Sequence, residues 1–99
     1  MQLMTKELQV GLPKLYDTED TPTNDMILRI RYYDINSQWE WFLIEFEPET
    51  NIGFFYVRGF ENEWGYSSLE EMQNIPSIVI DKKFRPIKFS ELNKSKGRQ

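Results

Sequence analysis

The side chains of this sequence that could carry out chemistry are mainly carboxylates, and they concentrate in its middle. Residues 34–71 hold nine acidic residues against one base, Arg58, which gives this segment a net charge of −8. Neighbouring carboxylates can act as general acid and base or can bind a metal ion. For Glu45 two interpretations stay open. One is an ion pair with Arg29 or Arg31 on a neighbouring strand, and the other is a general acid whose pKa is raised in an apolar pocket.

The other reactive residue types are missing or lack partners. The 99 residues include no cysteine and no histidine, which excludes thiolate nucleophiles, the usual zinc ligands and the commonest general base. Ser67 and Ser68 have no histidine to activate them. Each has a glutamate three positions on (Glu70 and Glu71), which is the spacing of a helix capping box. The acidic run Asp17–Asp20 lacks the glycine and the final glutamate of a calcium loop.

Phosphate-binding chemistry has no sequence motif here either. The five glycines are scattered, so no glycine-rich phosphate loop is present. We therefore predict that the chain is not an enzyme and that it uses no cofactor and no metal. The alternative is an unrecognised enzyme that uses Glu45 or Glu63.

The charge reverses towards the C-terminus, where residues 81–99 carry seven bases and two acids, a net charge of +5. Single-strand binders combine basic grooves with aromatic side chains on strands. In this chain the aromatic strands lie in the acidic segment, which would repel a polyanion. We expect no direct binding of nucleic acid, and a flexible basic tail over residues 94–99.

Acidic and aromatic residues occur together in the middle of the chain, and tryptophan and tyrosine are enriched at interface hot spots. A negative field around such rings speeds the encounter with a basic partner. The sequence thus predicts a surface for a basic host protein. An alternative for the first two tryptophans is that they are simply core. The candidate partner-binding residues are Trp39, Trp41, Glu61, Glu63, Trp64 and Tyr66.

The length and the hydrophobic periodicity predict one small α+β domain over residues 1–93. Period-two alternation predicts an antiparallel meander of three to five strands, and capping residues predict short flanking helices. The predicted strands are 26–33, 39–46 and 52–60, with a short strand at 78–80 and an edge segment at 85–89. The predicted helices are 5–10 and 68–74, with a final helical turn at 90–92.

The alternation also predicts which side chains share a face of the sheet. It places Met26, Leu28, Ile30 and Tyr32 together on the first strand. On the second strand it separates Glu40, Phe42, Ile44 and Phe46 from Trp39, Trp41, Leu43 and Glu45. After the third strand we expect a turn in which Gly65 takes a positive φ or closely approaches the sheet, with Tyr66 as its anchor. Gly65→Ala should then destabilise the fold.

Nothing in the sequence indicates a membrane segment. The first thirty residues lack an apolar signal region, and no apolar run reaches the roughly 18 residues that a span requires. We expect a soluble cytoplasmic protein with no membrane partner. The oligomeric state does not follow from the sequence.

Several short motifs occur in an order that resembles a known family. The chain is similar to a family of small bacterial, plasmid and phage proteins that is catalogued only as a domain of unknown function. The resemblance runs from about Leu12 to about Leu92, and the segment Pro76–Phe84 is shorter than in the family pattern. It implies a mobile-element setting and no particular activity. The motifs are Leu12–Tyr16, Glu19–Pro22, Trp39–Trp41, Glu45–Phe46, Glu63–Tyr66 and Ser68–Leu69.

Together these features favour a small acidic, non-catalytic domain that binds a protein. The leading hypothesis is an inhibitor of a host defence nuclease, of anti-CRISPR or anti-restriction type, that occupies a basic nucleic-acid-binding surface. The alternative is a housekeeping adaptor or regulator in plasmid or phage biology.

Overall fold

A computed structural model describes residues 2–96 of the chain. Met1 and residues 97–99 are outside the described range. The strands are β1 (Ile27–Leu28), β2 (Ile30–Asp34), β3 (Glu40–Glu47), β4 (Ile52–Arg58), β5 (Asn62–Ser68), β6 (Ile78–Ile80) and β7 (Ile87–Lys88). The helices are α1 (Lys6–Gln9), α2 (Leu69–Gln73) and α3 (Phe89–Lys96), and Thr23–Asp25 forms a 3₁₀ turn. Of the segment predicted as a flexible tail, residues 94–96 end α3, and residues 97–99 lie outside the described residues.

Five of the strands form one antiparallel sheet in the order β5-β4-β3-β2-β6. The hairpins β2–β3, β3–β4 and β4–β5 join strands that are neighbours in the chain, and the short pair β1–β7 forms a second sheet. The predicted α+β class and antiparallel meander are therefore confirmed. The first predicted strand is divided at Arg29 into β1 and β2, and the third ends at Arg58.

The predicted helix starts are also confirmed by their capping contacts. The Thr5 hydroxyl oxygen accepts a hydrogen bond from the Leu8 N–H at 3.1 Å, and the Ser68 hydroxyl does the same for the Glu71 N–H at 3.1 Å. Such caps satisfy backbone donors that have no partner within the helix. Ser68, the last residue of β5, is therefore the N-cap of α2, and Ser67 lies one position earlier in β5.

The sheet buries both of its faces. On one face, the α2 face, Tyr32, Leu43 and Phe55 pack under residues of the N-terminal segment and of α2 (Leu3, Leu69, Met72). On the other, the α3 face, Phe42 and Tyr56 pack under residues of β1 and α3 (Leu28, Phe89, Leu92). A sheet covered on both sides explains why six of the eight residues of β3 are buried.

One extra residue in β3 corrects the predicted division between the faces. Leu43 pairs with Phe55, but Glu45 pairs with Phe54, so Ile44 is a β-bulge. A bulge shifts the side-chain phase by one residue. Phe46 therefore joins Leu43 on the α2 face, and Glu45 leaves the face of Trp41, contrary to the sequence prediction.

A matching irregularity lies on the neighbouring strand at Arg29. Its N–H donates to the Leu43 carbonyl at 2.8 Å, and the chain changes face there. Met26 and Leu28 pack on the α3 face, whereas Ile30 and Tyr32 pack on the α2 face. The prediction that these four share one face is wrong because strict alternation does not continue across the interruption at Arg29.

The segment predicted as a glycine–tyrosine turn is the fifth strand of the sheet. Gly65 pairs with Phe55 within β5, and the only glycine with a positive φ among residues 2–96 is Gly11. Apart from Gly65 and its two chain neighbours, no atom lies within 4 Å of the position that a Cβ on Gly65 would occupy. The prediction that Gly65 takes a positive φ or closely approaches the sheet is therefore wrong. The predicted role of Tyr66 as the anchor of a turn is wrong as well. Cross-strand pairing of Trp64 with Tyr56 and of Tyr66 with Phe54 forms a strand instead.

Tyr32→Phe should cost about 1 kcal/mol near neutral pH and make the stability less sensitive to alkali. The fully buried Tyr32 hydroxyl donates to the Leu3 carbonyl at 2.6 Å, and burial raises the pKa of Tyr32 above its ordinary value of 10.0. The unfolded chain ionises this group near pH 10 while the folded chain keeps it protonated. Its contribution to stability is therefore complete below about pH 10 and is lost as the pH rises above that value.

Urea unfolding of the wild type and of Tyr32→Phe at pH 7 and at about pH 11 checks this expectation. The loss of stability between the two pH values should be smaller in the variant. Equal losses would show that ionisation of Tyr32 does not contribute.

Candidate protein-binding surface along β5

Strand β5 lies at the edge of the sheet and has one side open. The Gly59 N–H donates to the Glu61 carbonyl at 3.1 Å, and the Leu69 N–H donates to the Asn51 carbonyl at 2.8 Å. Because antiparallel pairs alternate between bonded and non-bonded positions, the odd-numbered residues from 61 to 69 bond to β4. The backbone N–H and C=O groups of Asn62, Trp64 and Tyr66 therefore point to the open side.

The acidic part of the predicted surface is exposed at and beside this edge. Glu61 precedes β5, Glu63 lies within it, and Glu70 and Glu71 follow it at the start of α2; all four are exposed. Among the side chains that the structure describes, ion pairs join Arg31 to Glu40 and Asp81, Arg58 to Glu40, and Lys88 to Asp25. None of them involves the four glutamates, so their negative charge is not neutralised locally.

The aromatic part of the surface is a ladder on the α3 face. Trp64 is half-buried among Phe54, Tyr56 and Phe89, with ring centroids 5.8, 5.0 and 5.0 Å away. Tyr66 lies 5.1 Å from Phe54 and is 53% exposed. Trp64 therefore supports the packing of α3, while Tyr66 is available to a partner. Partial burial raises the pKa of Tyr66, as do the nearby Tyr16, Glu45 and Glu19.

Trp39 and Trp41 lie away from Trp64 and Tyr66, on the α2 face. Their rings are 5.9 Å apart, both are half-buried, and Trp41 packs against the core cluster of that face. Trp41, Val57 and Glu63 are aligned across three strands by the register. The six predicted residues are thus divided between two faces, and β5 is the element that carries members of both groups.

Sequence reasoning missed Phe60, which is 94% exposed in the β4–β5 turn. Its ring meets that of Trp39 edge-on at 5.5 Å. A Cβ on Gly59 would lie 2.6 Å from the Trp39 ring, so glycine lets the indole pack on the backbone. An aromatic residue between Gly59 and Glu61, in a turn, was the available signal.

Glu45, the candidate general acid, is 3% exposed and faces the loop that precedes β1. Its carboxylate accepts hydrogen bonds from the Tyr16 N–H at 2.8 Å and from the Thr18 N–H at 3.0 Å, and also from the Thr18 hydroxyl. Neither Arg29 nor Arg31 is its partner. Both carboxylate oxygens hold the loop, in which Tyr16 has a φ of 74°.

Arg31 and Arg58 instead neutralise a second buried carboxylate, Glu40, which is 7% exposed. Arg31 donates to Glu40 at 2.8 Å and to Asp81 at 2.9 Å, and the Arg58 Nε lies 3.8 Å from Glu40. The Arg58 guanidinium also lies over the Phe42 ring at 5.6 Å. The single base of the acidic segment therefore compensates a charge inside the fold. Arg31, Glu40 and Arg58 line an open cavity of about 530 Å³.

Among residues 2–96, no group of three or more aspartate and glutamate side chains could hold a metal ion. No helix in that range is sufficiently long and apolar to cross a membrane.

Comparison with known proteins yields no relative: no family model, no curated protein sequence and no solved structure matches this chain. The resemblance to a family of mobile-element proteins therefore remains a prediction from the sequence motifs.

Proposed function

We propose that this chain is a non-catalytic protein-binding domain that engages a basic surface of its partner. The observation that carries the proposal is a set of exposed glutamates without ion-pair partners within and at both ends of β5, the strand that also carries the half-exposed Tyr66 (Glu61, Glu63, Glu70, Glu71). Negative charge around an exposed ring steers a basic partner and then gives it an apolar anchor. The buried carboxylates Glu40 and Glu45 have structural partners, which favours a structural role for both.

The proposed partner is a cytoplasmic enzyme that handles nucleic acid. Such enzymes are basic where they hold phosphate, and a rigid acidic domain can occupy that channel in place of DNA. With the mobile-element setting that the sequence motifs imply, the leading candidate is inhibition of a host defence nuclease. The second candidate is an adaptor or regulator in plasmid or phage biology, which would use the same surface without blocking DNA.

The test is capture of partners from a bacterial lysate by the immobilised full-length chain, read by mass spectrometry. Glu61→Lys combined with Glu63→Lys should slow association and reduce its salt dependence, because charges at an interface rim act mainly on the on-rate. A matched control is Glu7→Lys combined with Glu49→Lys, which makes the same change in net charge in α1 and in the β3–β4 turn. The control should bind like the wild type.

Competition with duplex DNA separates the two candidates. An inhibitor that fills a DNA channel should be displaced by DNA, and its binding should weaken between about 0.1 and 0.5 M salt. Capture that is unaffected by DNA, by salt and by the charge reversal at Glu61 and Glu63 would contradict the channel-blocking mechanism. If DNA alone fails to compete, the adaptor function is favoured.

A further inference from the structure

We infer that the partner binds by adding an extended basic segment to the open edge of β5, so that the sheet gains a sixth strand. This inference rests on the proposed function and specifies how the partner is held. The added segment would alternate lysine or arginine with apolar residues. Backbone hydrogen bonds would provide affinity, and the alternating side chains would provide specificity.

The two edges of the sheet differ in a way that favours β5. Edge strands are usually kept short, bulged or interrupted by proline, because their free N–H and C=O groups attract other strands. The opposite edge, β6, is only three residues long (Ile78–Ile80) and follows Pro76. Strand β5 has seven residues, pairs with β4 in unbroken register and contains no proline. Its outward groups at Asn62, Trp64 and Tyr66 are therefore available over a length that can hold a peptide.

The placement of charge and rings also favours an added strand over a surface docked on one face. Glu63 lies on the α2 face of β5, whereas Trp64 and Tyr66 lie on the α3 face. A partner that docks on one face can therefore contact either the carboxylate or the two rings, but not both. Side chains of an added strand alternate between both faces. Its cations can then lie beside Glu63, and its apolar or cationic side chains can pack on the Tyr66 ring.

Charge further distinguishes a basic segment from a second copy of the chain. Pairing of two β5 strands would bring eight glutamates (two sets of the four named above) to one seam, with no base among residues 59–81 to offset them. Like charges close together across a strand pair are destabilising. An added basic strand meets no steric obstacle at Gly65, because the space beside the Gly65 Cα is open.

The experiment uses the full-length chain labelled with ¹⁵N and a blocked nine-residue peptide of alternating lysine and valine. With bound peptide, hydrogen exchange of the Trp64 and Tyr66 amides should slow by about tenfold or more, the factor that corresponds to about 1.4 kcal/mol. The Glu63 and Gly65 amides already bond to β4 and should change little. Exchange at the outward amides that does not slow when the peptide binds would overturn strand addition.

Two substitutions at Tyr66 isolate the backbone contribution. Tyr66→Thr removes the ring and keeps the N–H, while Tyr66→Pro removes both; neither interrupts the ladder to β4, because the Tyr66 N–H points outward. The proline variant should bind the peptide about tenfold more weakly than the threonine variant, the effect of losing a hydrogen bond of about 1.4 kcal/mol. Equal affinities would contradict the inference. If Tyr66→Pro does not fold, the amide exchange of the wild type still decides.

The outcomes separate this inference from the proposed function. A captured partner that depends on Glu61 and Glu63 but leaves the outward amides unprotected would overturn strand addition alone. If the charge reversal at Glu61 and Glu63 leaves partner capture unchanged, the proposed function is overturned, whether or not the peptide binds. A peptide that does not bind, or self-association through β5 in analytical ultracentrifugation, would overturn the basic segment as the occupant.

Discussion

Gly53→Ala should lower the free energy of unfolding by about 2–3 kcal/mol, whereas Gly65→Ala should leave it unchanged or raise it by about 0.5 kcal/mol. A Cβ on the buried Gly53 would lie 2.6 Å from the Leu43 Cδ1 and 2.7 Å from the Phe55 Cε1. Both of those side chains are fully buried, so neither can move aside without disturbing the α2 face. The two glycines lie on adjacent strands, and only the surroundings of their Cα atoms differ.

Urea unfolding followed by tryptophan fluorescence measures the effect of both substitutions. The pair is its own control, because each adds one methyl group to a strand glycine. Similar losses in the two variants would mean that β5 is not the ordinary open strand described above. A large loss of unfolding free energy in Gly65→Ala alone would instead support the turn at Gly65 that the sequence predicted.

Glu45→Ala should cost about 3 kcal/mol, because hydrogen bonds to a charged group contribute about 1.5–3 kcal/mol each and the loop recovers only part of them from water. The substitution removes the acceptor for the Tyr16 N–H, the Thr18 N–H and the Thr18 hydroxyl. The loop should then detach from β3 and its amides should exchange faster. Glu45→Gln, which keeps the shape and one oxygen acceptor, should cost less.

Glu49→Ala serves as the control, since Glu49 is exposed in the β3–β4 turn and should change stability by less than about 0.5 kcal/mol. Unfolding free energies and hydrogen exchange at Tyr16 and Thr18 provide the two measurements. A loss below about 1 kcal/mol at Glu45, with unchanged exchange in the loop, would contradict the anchoring role.

The elements that were predictable from the sequence depend on neighbouring residues. Thr5 and Ser68 cap helices through contacts three residues away, and alternation along Trp39–Leu43 is a local pattern. Strand β5 was missed because its glycine and serines are poor strand formers. Its stability comes from pairing Trp64 and Tyr66 with partners on β4, and a local pattern does not contain that information.

At the candidate site, too, the sequence predicted local features and not the contacts between strands. The residue types were predicted, and the exposed glutamates agree with the prediction of a charged surface. The division of Trp39 and Trp41 from Trp64 and Tyr66 was not predicted, because it requires knowledge of the register of β5 on β4. The partners of Glu45 were also missed, since they depend on a single bulge that no residue between Leu43 and Glu45 marks.

That bulge at Ile44 has a consequence for insertions and deletions. Leu43 faces α2, and three positions later Phe46 does so again, because the bulge takes one residue out of the alternation. Loss of Ile44 would restore ordinary alternation: Leu43 and Phe46 would stand two positions apart and stay on the α2 face, with Glu45 still on the opposite face. We therefore expect β3 to accept the loss of its bulge residue without reversal of its faces, and the exposed turns at Ile35–Gln38 and Pro48–Asn51 to accept changes in chain length.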